Sequence, residues 1–278
     1  MTLSSPLVST EWLAGHLAAP DVRVADASWY LPQAGRDAKV EYSSAHIPGA
    51  VFFDIDDLSD ERSTLPHMLA PAPKFASRMR RLGIGDGNLV VVYDGAGMYS
   101  APRAWWMLRA MGHEEVAVLD GGLPKWRAEG RPVEDLTPHP YPRHFTPRPN
   151  NALVRDFDQM TTNLASRAEQ VIDARGATRF EGLEPEPRPG VKSGHMPGSV
   201  NIPYTEFVSA DGTLKPPDAL AALFASRGID RTRPAVTTCG SGVTAAIALL
   251  ALTALGAKSA ALYDGSWAEW GARGAVET

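Results

Sequence analysis

The sequence predicts an α/β protein of two tandem halves, each of which is a mainly parallel sheet flanked by helices. Short runs of β-branched and apolar residues alternate along the chain with helical patterns, which is typical of parallel sheets covered by helices. Three motifs also occur twice, in the same order and at nearly constant spacing. At 278 residues, the chain is long enough for two domains of about 130 residues each.

The duplication is visible in three pairs of segments. SAHIPGAV at 44–51 returns as SGHMPGSV at 193–200, VADA at 24–27 as VIDA at 171–174, and LDGGLPKW at 119–126 as YDGSWAEW at 263–270. Six prolines between positions 131 and 149 separate the copies, and proline disfavours both helix and central strand. We therefore expect an N-terminal domain over 1–130, an extended linker over 131–153 and a C-terminal domain over 154–278.

The individual elements follow from local pattern. In the first copy, strands are predicted at 22–25, 89–93 and 116–119, and helices at 73–82 and 101–111. In the second copy, strands are predicted at 170–173, 235–238 and 260–263, and helices at 218–227 and 244–255. Ligands of such sheets bind beyond the carboxyl ends of the strands, so the segment after 235–238 is the first place to look for chemistry.

Composition excludes several classes of function. Lys and Arg number 27 against 32 Asp and Glu, a net charge of −5 without a basic run, which disfavours nucleic acid or an anionic membrane as a partner. The longest apolar stretch, at 243–257, is short for a membrane span. A single cysteine allows no intrachain disulfide and no cysteine-rich metal site. With no signal-like segment at the N-terminus, we expect a cytoplasmic protein.

The single cysteine, Cys239, stands between a predicted buried strand and a long helix. Gly240 and Gly242 allow the loop to curl so that successive N–H groups point at one atom. These donors and the helix N-terminus favour a thiolate, the reactive form of cysteine. A small buried residue at a strand end is the alternative. Because Asp94 occupies the matching position of the first copy, only the second copy is expected to be catalytic.

The loop CGSGVTA at 239–245, the paired HxPG motifs and DGSW at 264–267 resemble the two-domain rhodanese family of sulfurtransferases over nearly the whole chain. The neutral Gly240 and Ser241 are similar to the branch of that family that takes sulfur from 3-mercaptopyruvate, whereas thiosulfate-using members carry basic residues there. The resemblance implies that Cys239 carries sulfur as a persulfide and that neither a metal nor an organic cofactor is needed. The sulfur acceptor would be thioredoxin, a small thiol or cyanide.

The resemblance also implies roles for further residues. Arg179 and Arg188 would hold the carboxylate and keto oxygen of the substrate, which suits the planar guanidinium group; surface ion pairs with neighbouring glutamates are the alternative. The other expected substrate contacts are His67, Gly240, Gly242, Val243 and Thr244.

A catalytic triad of Cys239, Ser241 and Asp56 is implied as well, in which Ser241 relays a proton. Loop solvation is the alternative role of Asp56. His46 and His195 occur in both copies, including the one expected to be silent, so we predict a structural role for them.

Three other functions compete with this interpretation. A thiosulfate:cyanide sulfurtransferase belongs to the same class. A cysteine phosphatase would need an arginine six residues after the cysteine, and Ala245 stands there. A sulfur-carrier or binding module without catalysis is the rival from a different class, and the presence of Cys239 with two arginines disfavours it.

Overall fold

The computed structural model describes Leu3 and residues 5–278, and these residues form two compact units. Unit 1 contains the described residues up to Ser59 together with Leu69–Asn150 and Ala210–Leu214. Unit 2 contains Asp60–Met68, Asn151–Ser209 and Lys215–Thr278. Each unit thus includes a short segment from the other half of the sequence, which the internal repeat did not predict. Most of the proline-rich segment, up to Asn150, belongs to unit 1.

Unit 1 is built on a five-stranded sheet with the order β1-β5-β4-β2-β3, in which every pairing is parallel. The strands are β1 (Leu7–Val8), β2 (Val22–Asp26), β3 (Val51–Phe52), β4 (Leu89–Tyr93) and β5 (Val116–Leu119). The helices are α1 (Thr10–His16), α2 (Ala38–Ser44), α3 (Ala72–Arg81), α4 (Ala101–Ala110) and α5 (Gly122–Ala128).

Unit 2 repeats this architecture with the order β6-β10-β9-β7-β8, again with parallel pairing throughout. The strands are β6 (Val154–Arg155), β7 (Gln170–Asp173), β8 (Val200–Asn201), β9 (Ala235–Thr238) and β10 (Ala260–Tyr263). The helices are α6 (Phe157–Ser166), α7 (Ala177–Phe180), α8 (Pro217–Ser226), α9 (Ala245–Ala254) and α10 (Ser266–Arg273).

The central strands and one central helix form these elements because their residues are apolar on every side. All five residues of β4 and all four of β9 are buried, as expected for strands of a parallel sheet covered on both faces. The first eight residues of α9 are also buried, which explains why this helix has no polar face. Within the described part of the chain, no helix is long and apolar enough to cross a membrane.

His46 and His195 have matching environments in the two units. The Nδ1 atom of His46 lies 2.7 Å from the carbonyl oxygen of Tyr42, and its ring stacks on Tyr42. The Nδ1 atom of His195 lies 2.9 Å from the carbonyl oxygen of Phe180, and its ring stacks on Phe180. The same contacts in both repeats support a structural role in closing the loops that precede β3 and β8.

Candidate active site

Cys239 lies directly beyond the carboxyl end of β9 and is 2% exposed. Two backbone hydrogen bonds fix its loop to the start of α10: the N–H of Trp267 donates to the carbonyl of Cys239, and that of Ala268 donates to the carbonyl of Gly240, both at 2.9 Å. Ser266 adopts a left-handed conformation with φ of 48°, which is strained for a residue other than glycine. Its hydroxyl donates to the carbonyl of Tyr263 at 2.8 Å, and this bond holds the turn.

The loop after Cys239 presents unused backbone donors. Within the described residues, the N–H groups of Gly240, Ser241, Val243 and Thr244 have no hydrogen-bond acceptor. Gly242 reverses the loop with φ of 81°, a conformation that glycine adopts without strain. Successive free N–H groups ahead of a helix form a concave site for an anion.

The equivalent loop of unit 1 shows which group such a site takes. Asp94 stands at the position of Cys239, and its buried carboxylate accepts four backbone hydrogen bonds of 2.8 to 2.9 Å. The donors are the N–H groups of Ala96, Tyr99, Ser100 and Ala101. The loop that the duplication produced therefore binds an anionic side-chain group in unit 1. The position that corresponds to this anion in unit 2 carries a thiol.

A chain of alternating charges runs beside the cysteine loop. The Nη2 atom of Arg175 donates to Asp173 at 2.7 Å, and its Nη1 atom donates to Glu186 at 2.9 Å. Glu186 in turn accepts hydrogen bonds from Nε and Nη2 of Arg179. The side chains of Arg175, Asp173 and Glu186 are 1%, 0% and 3% exposed. Buried charges of this kind need partners on every side, so the chain fixes the direction of the Arg179 guanidinium.

Arg179 reaches the cysteine loop. A Cβ atom placed on Gly240 would lie 3.3 Å from Nη2 of Arg179, so the guanidinium occupies the space beside that glycine. Arg179 stands in the one-turn helix α7 rather than in the loop predicted from sequence. Burial opposes its charge, but the hydrogen bond and charge of Glu186, together with the charge of Cys239, raise the pKa of Arg179 above its ordinary value.

Arg188 differs from Arg179 because its guanidinium makes no hydrogen bond or ion pair with any residue that the structure describes. Burial and the like charge of Arg179 lower the pKa of Arg188, whereas the charges of Cys239 and Glu186 oppose that shift. Arg188 therefore keeps its donors for a ligand. An anionic substrate in this site would provide a partner for a half-buried cation that has none among the described residues.

His67 and Ser241 lie together in unit 2. The Nδ1 atom of His67 is 3.0 Å from the hydroxyl oxygen of Ser241, a hydrogen bond between residues that are 8% and 9% exposed. His67 has a left-handed backbone with φ of 59°, which directs its ring from the short segment Asp60–Met68. The structure therefore brings His67, Ser241 and the cysteine loop into one unit.

Asp56 belongs to unit 1. Its carboxylate accepts a hydrogen bond from Nε1 of Trp29 at 3.1 Å, and its N–H donates to the carboxylate of Asp54. These contacts order the turn that follows β3. The triad role of Asp56 therefore stays a prediction from the resemblance.

Sequence reasoning missed three residues that shape this site. Glu186 was considered only as a surface partner of the arginines, yet it is buried and connects two of them. Arg175 had a signal in the sequence, because it follows the repeated VIDA motif at a position where the first copy has Ser28. Ser266 also had a signal, because the matching position of the first copy is Gly122, a residue type that adopts left-handed conformations. Gly122 has a positive φ of 53° in the structure.

The comparison with known families agrees with this geometry. The model of the rhodanese-like domain matches residues 9–129 and 156–273. The chain belongs to the rhodanese family. The two matched ranges confirm the prediction of two tandem rhodanese-like domains of the α/β class.

Full-length relatives are also similar. The human 3-mercaptopyruvate sulfurtransferase is 46% identical over 96% of this chain and 92% of the relative. The bovine thiosulfate sulfurtransferase is 43% identical over 98% of this chain and 94% of the relative. Among solved structures, the Escherichia coli 3-mercaptopyruvate sulfotransferase SseA superimposes with a TM-score of 0.87 at 42% identity, covering 96% of this chain and 100% of that one. These rhodanese relatives are sulfur-transferring enzymes.

Proposed function

We propose that this rhodanese is a 3-mercaptopyruvate sulfurtransferase that carries sulfur on Cys239 as a persulfide. The relatives described above support the reaction class. The observation that carries the assignment of the site is the pair of anion-binding features around one thiol. They are the N–H groups of Gly240, Ser241, Val243 and Thr244, which have no acceptor among the described residues, and the arginines Arg179, which lies beside Gly240, and Arg188.

In the proposed first half-reaction, Arg188 binds the carboxylate of mercaptopyruvate, and Arg179 stabilises its carboxylate and keto oxygen. The Cys239 thiolate attacks the substrate sulfur, so that an S–S bond forms and the C–S bond breaks. The electron pair of the broken bond remains on carbon as the enolate of pyruvate, which the adjacent carbonyl stabilises. Protonation of this carbon gives pyruvate, and Cys239 is left as a persulfide.

The loop would stabilise both anionic forms of the sulfur, because donors that are fixed before the reaction need no reorganisation during it. In the second half-reaction, a thiolate or cyanide attacks the outer sulfur and releases the Cys239 thiolate. We propose thioredoxin, a small thiol or cyanide as this acceptor. Such a sequence is covalent catalysis by two displacement steps.

We propose that Ser241 supplies or relays the proton that the enolate needs. The hydrogen bond between Ser241 and His67 supports this role because it fixes the position of the hydroxyl in the site. Substrate contacts by Gly240, Gly242, Val243 and Thr244, and the participation of Asp56 in the triad, stay predictions. A cytoplasmic location also stays a prediction, which fractionation of the source cells would test.

Intact-mass measurement tests the sulfur carrier. After treatment with mercaptopyruvate and without an acceptor, the mass of the wild-type chain should rise by one sulfur atom, and pyruvate should be released in equal amount. Cys239→Ser should show neither change. A mass gain that persists in the serine variant would refute the assignment of Cys239.

The similarity to the bovine thiosulfate sulfurtransferase keeps thiosulfate as a second candidate donor. Thiosulfate is a compact dianion and gains most from cations next to the reacting sulfur, where this loop has the neutral Gly240 and Ser241. We therefore expect kcat/KM for mercaptopyruvate to exceed that for thiosulfate at least about tenfold, which is about 1.4 kcal/mol. The reverse preference would make the thiosulfate reaction the principal one. Uptake of one sulfur without catalytic turnover would instead indicate a carrier.

A further inference from the structure

Unit 1 contains a cavity of about 480 Å³ that lies beside the carboxyl end of β2, and its walls include Asp26, Glu41, Tyr42 and Leu123. Asp26 is 1% exposed. Its carboxylate accepts a hydrogen bond from the N–H of Ser28 at 2.9 Å, and no described residue places a cation within ion-pair distance of it. A buried carboxylate without a cation is costly. The two arginines that also line the cavity have other partners, because Arg36 pairs with Glu41 and Arg127 donates to the carbonyl of Ala45, so Asp26 has no counter-ion among the described residues.

Unit 2 shows how the same position is satisfied when a cation is present. Asp26 and Ser28 match Asp173 and Arg175 without a gap. In unit 2 the guanidinium of Arg175 pairs with Asp173, donates to the carbonyl of Gly194 at 2.8 Å, and lies 4.1 Å above the ring of Trp267. In the second copy of the repeat, a guanidinium group therefore forms an ion pair with Asp173, the counterpart of Asp26.

The surroundings of that guanidinium group are partly retained in unit 1. Ala45 matches Gly194 and also lines the cavity. Its carbonyl accepts a bond of 3.3 Å from Arg127 and has a second lone pair. Leu123 matches Trp267 but is smaller, so space is open where the indole packs in unit 2.

We propose that this cavity of unit 1 binds a small organic cation of the alkylguanidinium class, with Asp26 as its counter-ion. The planar group would occupy the place that Arg175 fills in unit 2, and its alkyl part would contact Leu123 and the ring of Tyr42. Glu41 adds a second carboxylate to the wall, although Arg36 already pairs with it. The wall carries two carboxylates and two arginines, and the proposed cation would pair with Asp26, the carboxylate that has no ion pair among the described residues. This site is separate from the sulfur-transfer site.

The electrostatics of Asp26 are consistent with this ligand. Burial raises the pKa of Asp26 above its ordinary value, hydrogen bonds from Ser28 and Tyr93 oppose that shift, and the charge of Asp94 adds to it. A bound cation would offset both the burial and the repulsion from Asp94. Binding of the guanidinium group should therefore be accompanied by full ionisation of this carboxyl.

Titration calorimetry of the full chain with methylguanidinium chloride tests the proposal. The wild type should bind one equivalent saturably, and the neutral isostere N-methylurea should not compete. Asp26→Asn keeps the shape of the side chain and should weaken binding at least tenfold. Ser28→Arg supplies the guanidinium group that unit 2 carries and should abolish binding of the added ligand.

Both variants should retain sulfur transfer, which reports that they are folded. If Asp26→Asn does not fold, Ser28→Arg decides the matter alone. Absence of saturable binding to the wild type, or unchanged binding to either folded variant, would overturn the proposal.

Discussion

Substitution of Arg179 and of Arg188, the two arginines of the candidate site, should have different effects on activity and stability. Glu186 occupies Nε and Nη2 of Arg179, whereas Arg188 has no ion-pair partner among the described residues. We therefore expect Arg188 to be the principal receptor of the substrate carboxylate, and Arg179 to act both on the substrate and in the buried charge chain.

Arg188→Ala removes only interactions with the substrate. A hydrogen bond to a charged group contributes about 1.5–3 kcal/mol, so kcat/KM for mercaptopyruvate should fall by about 10- to 150-fold. The free energy of unfolding should change by less than about 0.5 kcal/mol, because the guanidinium makes no hydrogen bond or ion pair with the described residues. Loss of the repulsion from Arg179 would, if anything, stabilise the fold.

Arg179→Ala should lower kcat/KM and also destabilise unit 2. Glu186 is 3% exposed and would keep only Arg175 as a partner. Leaving a buried acceptor partly unsatisfied costs about 1–3 kcal/mol, which corresponds to a fall in melting temperature of about 2–4 °C per kcal/mol.

Steady-state pyruvate release and thermal unfolding of the same samples separate the two effects. Arg231→Ala is the matched control, because Arg231 is exposed and its loss changes the net charge equally. A kcat/KM within twofold of wild type for Arg188→Ala would refute its role as carboxylate receptor. Equal melting temperatures for Arg179→Ala and Arg188→Ala would refute the structural role of the Glu186 pair.

Three further predictions concern single groups. Gly240→Ala places a Cβ atom 3.3 Å from Nη2 of Arg179 and should lower kcat/KM several-fold by displacing the guanidinium. Gly176→Ala is the control, because its Cβ would meet nothing within 4 Å. Equal kcat/KM values of the two variants would contradict this prediction. Ser241→Ala removes the hydrogen bond to His67 and should lower kcat/KM by about 2- to 10-fold. An unchanged rate of pyruvate release would show that the hydroxyl plays no part in proton transfer. The pKa of Asp26 is raised in the folded state, so the contribution of its protonated form to stability is lost as pH rises above about 4. Between about pH 4 and 8, the melting temperature of Asp26→Asn should therefore rise relative to that of the wild type. A difference in melting temperature that does not change with pH would disprove the shift.

The sequence was sufficient for the parts of the fold that depend on local pattern. The strands at 89–93, 116–119, 170–173, 235–238 and 260–263 were predicted with the observed bounds, because they are short runs rich in apolar and β-branched residues between turn signals. The two-residue strands β1, β3, β6 and β8 were not predicted. Such short edges are defined by pairing with a neighbouring strand and leave no periodicity in the sequence.

The residues of the candidate site likewise fall into those with a local signal in the sequence and those that only the tertiary structure brings together. Cys239 was found because a glycine-rich turn after a buried strand has a local signal. The connection of Arg175, Glu186 and Arg179 could not be found, because it depends on how the segment after α7 folds back onto the end of β7. The membership of His67 in unit 2 is likewise a property of the tertiary structure, since its segment lies within the first half of the sequence.

The two rhodanese-like domains differ in more than the loss of one cysteine. Both loops offer backbone donors to an anion, but in unit 1 the carboxylate of Asp94 takes these donors permanently. The charge chain that directs Arg179 is also absent there, because Ser28 replaces Arg175. A cation still lies beside the loop of unit 1, because Arg36 donates to the carbonyl of Gly95 at 3.2 Å and pairs with Glu41. The prediction that unit 1 is not catalytic therefore rests mainly on the residue at position 94, whose carboxylate occupies the donors that the loop of unit 2 leaves to Cys239.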